Sequence, residues 1–218
     1  LLPLSRGNSP LISACPPERE RSTSILVGMG LYAQLLVIPQ ILQLPVATGH
    51  GLGQSMVAMG LWIAPGGLAM MAVSPISGRL ITTRGPKPTL ILGSLVIASG
   101  YASAMFLMGS TWGVMIAAVI TSSGVGLAYG AMPALIMSSV PHSEMGSANS
   151  VNTLMRSIGT TTAAAVLGVI LTQISVDFGG LFVPTETGFR VGLLLGCGVA
   201  LAAAAVAAMI PPPWEAED

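Results

Sequence analysis

Charged side chains are scarce in this sequence: eight Lys and Arg and eight Asp and Glu make up 7% of 218 residues. A water-soluble domain carries about 25% charged residues, because its surface must be solvated. Hydrophobic residues account for 52% of the chain, and the mean hydropathy is +0.81. The composition therefore excludes an ordinary soluble protein and predicts that most of the surface faces membrane lipid.

The sequence lacks the residue patterns that several functional classes require. The formal net charge is zero, which gives no reason to expect a nucleic-acid partner. The two cysteines, Cys15 and Cys197, have no spacing typical of a disulfide framework or a metal site. His50 and His142 fall in connections between apolar runs, and there is no His-Glu-x-x-His or Gly-x-Ser-x-Gly motif. We therefore expect no enzyme, no metal and no cofactor.

Six apolar runs are each long enough to cross a membrane, which takes about 20 residues in a helix. They cover residues 24–44, 54–77, 88–108, 112–140, 146–174 and 189–210. The connections carry Gly, Pro, His and nearly all the charges, as turns do. The sequence thus predicts an all-α integral membrane protein with a six-helix transmembrane domain over 24–210. A cytoplasmic N-terminal stretch, 1–23, precedes this domain, and an acidic cytoplasmic tail, 211–218, follows it.

The basic residues predict the orientation. An even number of helices puts the N-terminal stretch and the second connection on the same side, and together these segments hold six basic residues: Arg6, Arg19, Arg21, Arg79, Arg84 and Lys87. Arg190 is the one basic residue predicted on the opposite side, and Arg156 lies within a helix. By the positive-inside rule, we expect a multi-pass protein of the cell membrane with both termini in the cytoplasm.

Polar side chains are concentrated in the first, second, fourth and fifth runs. Polar groups within a bilayer usually face a bundle interior or a water-filled cavity. Hydrogen bonding between helices explains each position equally well, but the concentration in four of six helices favours a cavity. The resulting candidates for a substrate cavity are Gln34, Gln40, Trp62, Tyr129, Asn149 and Asn152. The sixth run is almost purely apolar, with Gly192 and Gly196 at a spacing that allows close helix packing.

Arg156 is the one charge inside a predicted helix. As a cavity residue, it would orient a substrate or a partner carboxylate. Alternatively, counting about 20 residues back from residue 174 places the membrane boundary near residues 154–155. Arg156 would then extend to the cytoplasm at little cost, and we favour this interfacial interpretation while keeping Arg156 among the cavity candidates.

The connection 78–87, Gly-Arg-Leu-Ile-Thr-Thr-Arg-Gly-Pro-Lys, resembles a loop signature of the major facilitator superfamily, Gly-x-Leu-x-Asp-Arg-x-Gly-Arg-Lys. Gly78, Leu80, Gly85 and Lys87 match it by position, whereas Thr82 and Thr83 replace its acidic residue and its arginine. Segments 35–43, 60–67, 124–133 and 140–159 resemble successive helices in the second half of the fourteen-helix drug:proton antiporter branch. Together these similarities cover about residues 25–210. The matched residues and Arg84 are the candidate cytoplasmic gating loop.

The resemblance implies the C-terminal half of a fold that has two six-helix halves around a central cavity. It also implies export of drug-like amphipathic compounds driven by a proton gradient, with a small-molecule substrate and an N-terminal half, in the same or another chain, as partners. No Asp or Glu falls within a predicted span, so the coupling carboxylate is expected in the other half. Two alternatives remain: a non-transporting half that stabilises a partner membrane protein, and a transporter of another small solute. The sequence is equally compatible with a fragment, a truncated reading frame and a separately encoded half.

Overall fold

The structure, a computed structural model, describes residues 18–140, 142–177 and 182–209. Six long helices account for most of these residues, as the sequence predicts, and each is long and apolar enough to cross a membrane. The helices are α1 (Glu18–Gln43), α2 (Met56–Arg84), α3 (Pro86–Leu107), α4 (Thr111–Ser139), α5 (Met145–Gln173) and α6 (Glu186–Ala208). Two short strands, β1 (Ser175–Asp177) and β2 (Phe182–Pro184), join α5 to α6. The all-α, six-helix prediction is confirmed.

Four helices form a closed ring in which α1 packs on α6, α6 on α3, α3 on α4, and α4 more lightly on α1. The remaining two helices lie outside this ring: α5 packs chiefly on α1, and α2 packs chiefly on α4. Helices α1 and α4 are neighbours in the ring. On the side of this pair that faces away from α3 and α6, α5 flanks α1 and α2 flanks α4. We call this surface, formed by α1, α2, α4 and α5, the four-helix face.

Small residues set the closest helix approaches. A Cβ atom on Gly124 of α4 would lie 2.7 Å from the carbonyl oxygen of Gly93 in α3. Gly28 of α1 lies in the same way against the backbone of Arg156 in α5. In α6, Gly192 and Gly196 are buried, and Gly196 lies against Tyr101, as close packing at this spacing predicts. Close contacts of this kind are typical of helices in lipid, where the association of helices depends on packing rather than on a hydrophobic driving force.

The connection between α2 and α3 differs from the predicted loop. The helix α2 continues through Gly78, Leu80 and Arg84, and α3 begins at Pro86, so Gly85 alone joins them. The helix continues because nothing between Gly78 and Gly85 breaks it, and the threonine hydroxyls there bond back to helix carbonyls. Gly85 ends it with φ +91° and ψ 165°, a conformation essentially restricted to glycine.

The predicted spans also differ from the helices at their ends. The helix α1 begins at Glu18 rather than at residue 24, because a helix can continue with charged residues beyond the apolar run that identifies it. The first residue of α6 is Glu186, which the sequence places in a loop. Residues 1–17 of the N-terminal stretch and the whole predicted tail, 211–218, lie outside the described residues.

The two ends of the bundle differ in structure. One end, which we call the junction end, carries the start of α1, Gly85 and the short helical turn His142–Glu144. At the opposite, hairpin end, β1 and β2 pair antiparallel with Val176 opposite Val183. The Nε2 atom of His50, in the α1–α2 connection, lies 3.0 Å from the carbonyl oxygen of Pro184. This contact ties the α1–α2 connection to the hairpin.

Candidate functional site

The predicted cavity residues all lie on α1, α2, α4 and α5, the helices of the four-helix face. The helices α2 and α5 are the least buried of the six, with 6% and 22% of their most apolar segments buried. Their exposed side chains include large apolar ones, among them Leu61, Leu68 and Met71 of α2. The face is therefore an apolar surface with a limited number of polar and aromatic groups set into it.

Gln34 joins α1 to α4 near the middle of this face. Its Nε2 atom donates to Oγ of Ser122 in α4 at 2.9 Å and to the carbonyl oxygen of Ala118 at 3.5 Å. Gly66 of α2 is buried against the same serine hydroxyl. A Cβ atom at this position would lie 2.9 Å from that hydroxyl, so a side chain would have no room. The sequence identifies Gln34 as polar within a span, and the structure shows it to be a partly buried contact between α1 and α4.

Arg156 of α5 and Tyr129 of α4 contact each other. The guanidinium carbon of Arg156 lies 4.5 Å from the centroid of the Tyr129 ring, and both side chains are half-buried. Since α4 and α5 otherwise touch only lightly, this cation–π contact spans the gap between them. Residue 133 is a proline and has no amide hydrogen, so the Tyr129 carbonyl oxygen lacks its usual helical donor.

The position of Arg156 along the bundle is given by its neighbour in α1. Its backbone lies against Gly28, two helical turns, or about 10 Å, beyond Arg21, the last charged residue before the apolar run of α1. A charged residue at the centre of a bilayer costs roughly 2.5–3.5 kcal/mol on insertion scales. A single cation–π contact contributes about 0.5–2 kcal/mol. On the cavity interpretation, the tyrosine ring would offset only part of this cost. On the interfacial interpretation, the side chain reaches water and avoids it.

Two asparagines of α5 have different environments. Asn152 is 2% exposed, and its Oδ1 atom accepts a hydrogen bond of 2.8 Å from the buried Ser24 hydroxyl of α1. The Sδ atom of Met132 in α4 is 3.4 Å from the same hydroxyl. Asn152 is thus a packed contact between helices, whereas Asn149, on the preceding turn, is exposed. Of the two, only Asn149 is available to a ligand.

Trp62 lies towards the hairpin end of the face. Its ring meets the Trp112 ring edge-on, with centroids 5.0 Å apart, and its Nε1 atom donates to Oε1 of Gln54 at 3.2 Å. Both tryptophans stand near the start of an apolar helix, which is where aromatic belts occur in membrane proteins. The sequence prediction includes Trp62 but omits Trp112 and Gln54, and the aromatic-belt pattern is a signal by which Trp112 is recognisable.

Gln40 is separate from the other candidates. It lines a cleft of about 690 Å³ between α1, α5 and the hairpin, together with Thr172 and Phe182. Its Oε1 atom is buried and has no hydrogen-bond partner among the described residues. The cleft lies at the hairpin end, beyond the turn that carries Gln34. The structure therefore does not bring Gln40 to the Arg156 region.

The five gating candidates lie at the junction end. Gly78, Leu80 and Arg84 are on the last turns of α2, Gly85 is the connection, and Lys87 is on the first turn of α3. Gly78 lies within α2 and has open space around it, so it does not make the turn of this connection. Gly85 is the residue whose backbone makes the turn. The five residues therefore form a surface on which the cations Arg84 and Lys87 lie beside the sharp break between α2 and α3.

The sequence is similar to known transport proteins along nearly its whole length. Residues 22–217 match the Major Facilitator Superfamily. The chain is 26% identical over 182 residues to a protein named "Tetracycline resistance determinant" of Streptomyces rimosus, covering 81% of this chain and 48% of that protein. It is 25% identical over 155 residues to a "Multidrug resistance protein B homolog" of Mycobacterium tuberculosis, covering 69% and 27%.

A third relative, the "Uncharacterized MFS-type transporter YfiU" of Bacillus subtilis, is 26% identical over 171 residues, or 77% of this chain and 32% of that protein. The chain thus spans between about a quarter and a half of the length of these curated relatives. The family match agrees with the six helices of the structure, each of which is long and apolar enough to span a membrane. The chain belongs to the Major Facilitator Superfamily of membrane transporters.

Proposed function

We propose that this chain is the C-terminal half of a proton-coupled exporter of drug-like amphipathic compounds. The observation that carries the proposal is the four-helix face, where Gln34, Trp62, Tyr129 and Arg156 interrupt an otherwise apolar surface. Ligand sites for apolar molecules are mostly apolar with a few placed polar groups. The names of the relatives, a tetracycline resistance determinant and a multidrug resistance protein, agree with this substrate class.

The N-terminal half is the proposed partner for the four-helix face. Packing within this chain leaves α2 and α5 largely uncovered, although both are apolar enough to span a membrane. The relatives are about two to four times as long as the segments that match this chain, which leaves room for a second six-helix half. Alternating access requires two such units to move against each other around a site between them.

Proton coupling is proposed to depend on the other half. The acidic residues of the described ranges lie at helix ends or between helices: Glu18, Glu20, Glu144, Asp177 and Glu186. Glu186 lies at the first turn of α6, where its Oε1 atom is 2.7 Å from Nη2 of Arg190. Both side chains are about half exposed, so this carboxylate is placed for a structural pair at the helix end. A carboxylate that carries protons along the transport path is therefore expected in the N-terminal half, and the proton gradient supplies the energy.

The charges at the two ends of the bundle support one orientation. Arg21, Arg84 and Lys87 lie at the junction end, and Arg190 lies at the hairpin end. We propose that the junction end is cytoplasmic in the cell membrane, which puts both termini in the cytoplasm. A single cysteine in place of Ser110, between α3 and α4, should react with a membrane-impermeant maleimide in intact cells. A cysteine in place of Thr83 should react only after the cells are opened.

The size of the native polypeptide is the first test. An antibody against residues 214–218 should detect a band at roughly twice 22.1 kDa or more in source membranes, as two halves require. Cells without their own pumps, expressing that full-length protein, should then export an amphipathic dye, and a protonophore should stop the export. A native band near 22.1 kDa, without a separately encoded partner half, would favour a non-transporting half. Proton-dependent transport of other solutes but not of drugs would reassign the substrate.

A further inference from the structure

Arg156 is a charge without a complementary charge in the part of the chain that the structure describes. It is the one charged side chain there that lies more than two turns from a helix end. The described ion pair joins Arg190 to Glu186 instead. A guanidinium has five N–H donors in a planar fork, which matches the two oxygens of a carboxylate. The ring of Tyr129, 4.5 Å from the guanidinium carbon, brings no negative charge to it.

Packing closes two sides of Arg156. Towards the junction end, the next turn of α5 is closed by the buried hydrogen bond between Asn152 and Ser24. Behind the side chain, Gly28 brings the α1 backbone into contact with α5. On the remaining side lies the four-helix face, along which α4 and α5 touch only lightly. This face is therefore the side from which we expect a group that binds the guanidinium to approach.

We propose that Arg156, held against Tyr129, receives an anionic oxygen group in the transport path, and that it selects anionic and zwitterionic amphiphiles over cationic ones. The inference rests on the proposed export function and narrows its substrate class. The anionic group is a carboxylate or an enolate oxygen of the substrate. A carboxylate of the N-terminal half would use the same chemistry, and the test below separates these two sources.

A dye pair that differs at one group provides the test. A carboxyrhodamine and its methyl ester share the same cationic ring system, and only the first also carries an anionic oxygen group. The full-length protein is expressed as wild type, R156Q, R156K and R190Q, and the efflux of each dye is normalised to the amount of protein in the membrane. We expect R156Q to lower carboxyrhodamine efflux about tenfold, the loss of one charge-assisted hydrogen bond. Ester efflux should change less than twofold, and R156K should restore part of the loss.

The matched control is R190Q, because Arg190 lies at the hairpin end and pairs with Glu186. An equal loss of both dyes in R156Q, with partial rescue by R156K, would assign the anion to the N-terminal half and overturn the selection of anionic substrates. Unchanged carboxyrhodamine efflux in R156Q, or the same loss in R190Q, would overturn the inference and leave drug export standing. Failure of the wild type to move either dye would overturn both.

A second measurement on the wild-type protein guards against a variant that fails to fold. Phenylglyoxal modifies arginine side chains, and mass spectrometry reports the extent of labelling at each position. Carboxyrhodamine should slow labelling of Arg156 severalfold and leave Arg190 unchanged, whereas the ester should protect neither. Equal protection of Arg156 by both dyes would contradict recognition of the substrate's anionic group.

Discussion

Helices α4 and α2 are about equally long and both apolar enough to span a membrane, yet their environments within this chain are opposite. In the most apolar segment of α4, 56% of the residues are buried, compared with 6% in α2. The buried residues of α4 include a series of small ones, Ala117, Ala118, Ala128 and Ala131, that face α3 and the core. In α2, only Gly66 and Ser77 are buried.

This difference in burial indicates that apolar character decides which segments enter the membrane. It does not decide which of those segments pack within this half. Packing of α4 depends on small residues that fit against α3, because close backbone approach stabilises helix pairs in lipid. The helix α2 carries glycines too, at Gly60 and Gly67, but these have open space around them. Small residues that contact nothing here are what a surface shared with a second half would need.

The largest expected effect comes from replacing a glycine in the packed helix. A side chain at Gly124 would lie 2.7 Å from the carbonyl oxygen of Gly93 and 2.7 Å from the amide nitrogen of Ile97. Both are backbone atoms and cannot move without separating α3 from α4. We expect Gly124→Leu to reach or exceed the upper end of the usual overpacking penalty of about 1–3 kcal/mol. Size-exclusion profiles of the detergent-solubilised chain after heating would measure the loss.

The matched variant is Gly67→Leu in α2. Gly67 has no neighbouring atom within 4 Å of the position that its Cβ would take, so the chain alone should keep its heat stability. The same change in a full-length protein should reduce activity, because the side chain would then project into the shared surface. Equal loss of heat stability for Gly124→Leu and Gly67→Leu in the chain alone would contradict the comparison.

The second prediction separates two glycines near the end of α2. Gly85 has φ +91° and ψ 165°, where a side chain costs about 1–3 kcal/mol, so Gly85→Val should destabilise the chain by that amount. Gly78 is helical with open space around it, so Gly78→Ala should stabilise the chain by about 0.5–1 kcal/mol. The same heating assay should show shifts of opposite sign. Two destabilising shifts would mean that Gly78 makes a contact absent from this structure.

The third prediction concerns the buried hydrogen bond between Ser24 and Asn152. Hydrogen bonds between membrane helices contribute about 0.6 kcal/mol on average and up to about 1.7 kcal/mol. Ser24→Ala and Asn152→Ala should each destabilise the chain, and the double variant should lose less than the sum by about that amount. Ser150→Ala is the control, because its exposed hydroxyl bonds only to a carbonyl of its own helix. Strict additivity of the two buried changes would show that the pair is not coupled.

The six spans were predictable because apolar length is a local property of the sequence. The role of each polar residue was not, because it depends on partners far away in the chain. Gln34 bonds to Ser122, and Ser24 bonds to Asn152, across separations of 88 and 128 residues. Asn149 and Asn152 have the same side chain in the same helix, and only the packing of α5 on α1 decides that one is exposed and the other buried.

The depth of Arg156 illustrates a second limit. Counting about 20 residues back from the end of the fifth run places it at the membrane boundary, because the count assumes a helix as long as the bilayer is thick. The observed helix has 29 residues, or about 43 Å, which exceeds a hydrocarbon core of about 30 Å. The contact with Gly28 places Arg156 two turns beyond Arg21 of α1, and the interfacial position of this arginine stays a prediction.

The smallest expected effect belongs to the exposed ion pair at the start of α6, whose side chains are 56% and 49% exposed. Exposed pairs four residues apart on a helix contribute about 0.3–0.5 kcal/mol, and salt screens them. Glu186→Gln should cost slightly more than Arg190→Gln, because an acid in the first turn also interacts favourably with the helix dipole. Both differences should shrink at high salt in the heating assay. A loss above about 1 kcal/mol from Arg190→Gln would exceed what an exposed pair contributes and would mean that Arg190 makes a further contact beyond Glu186.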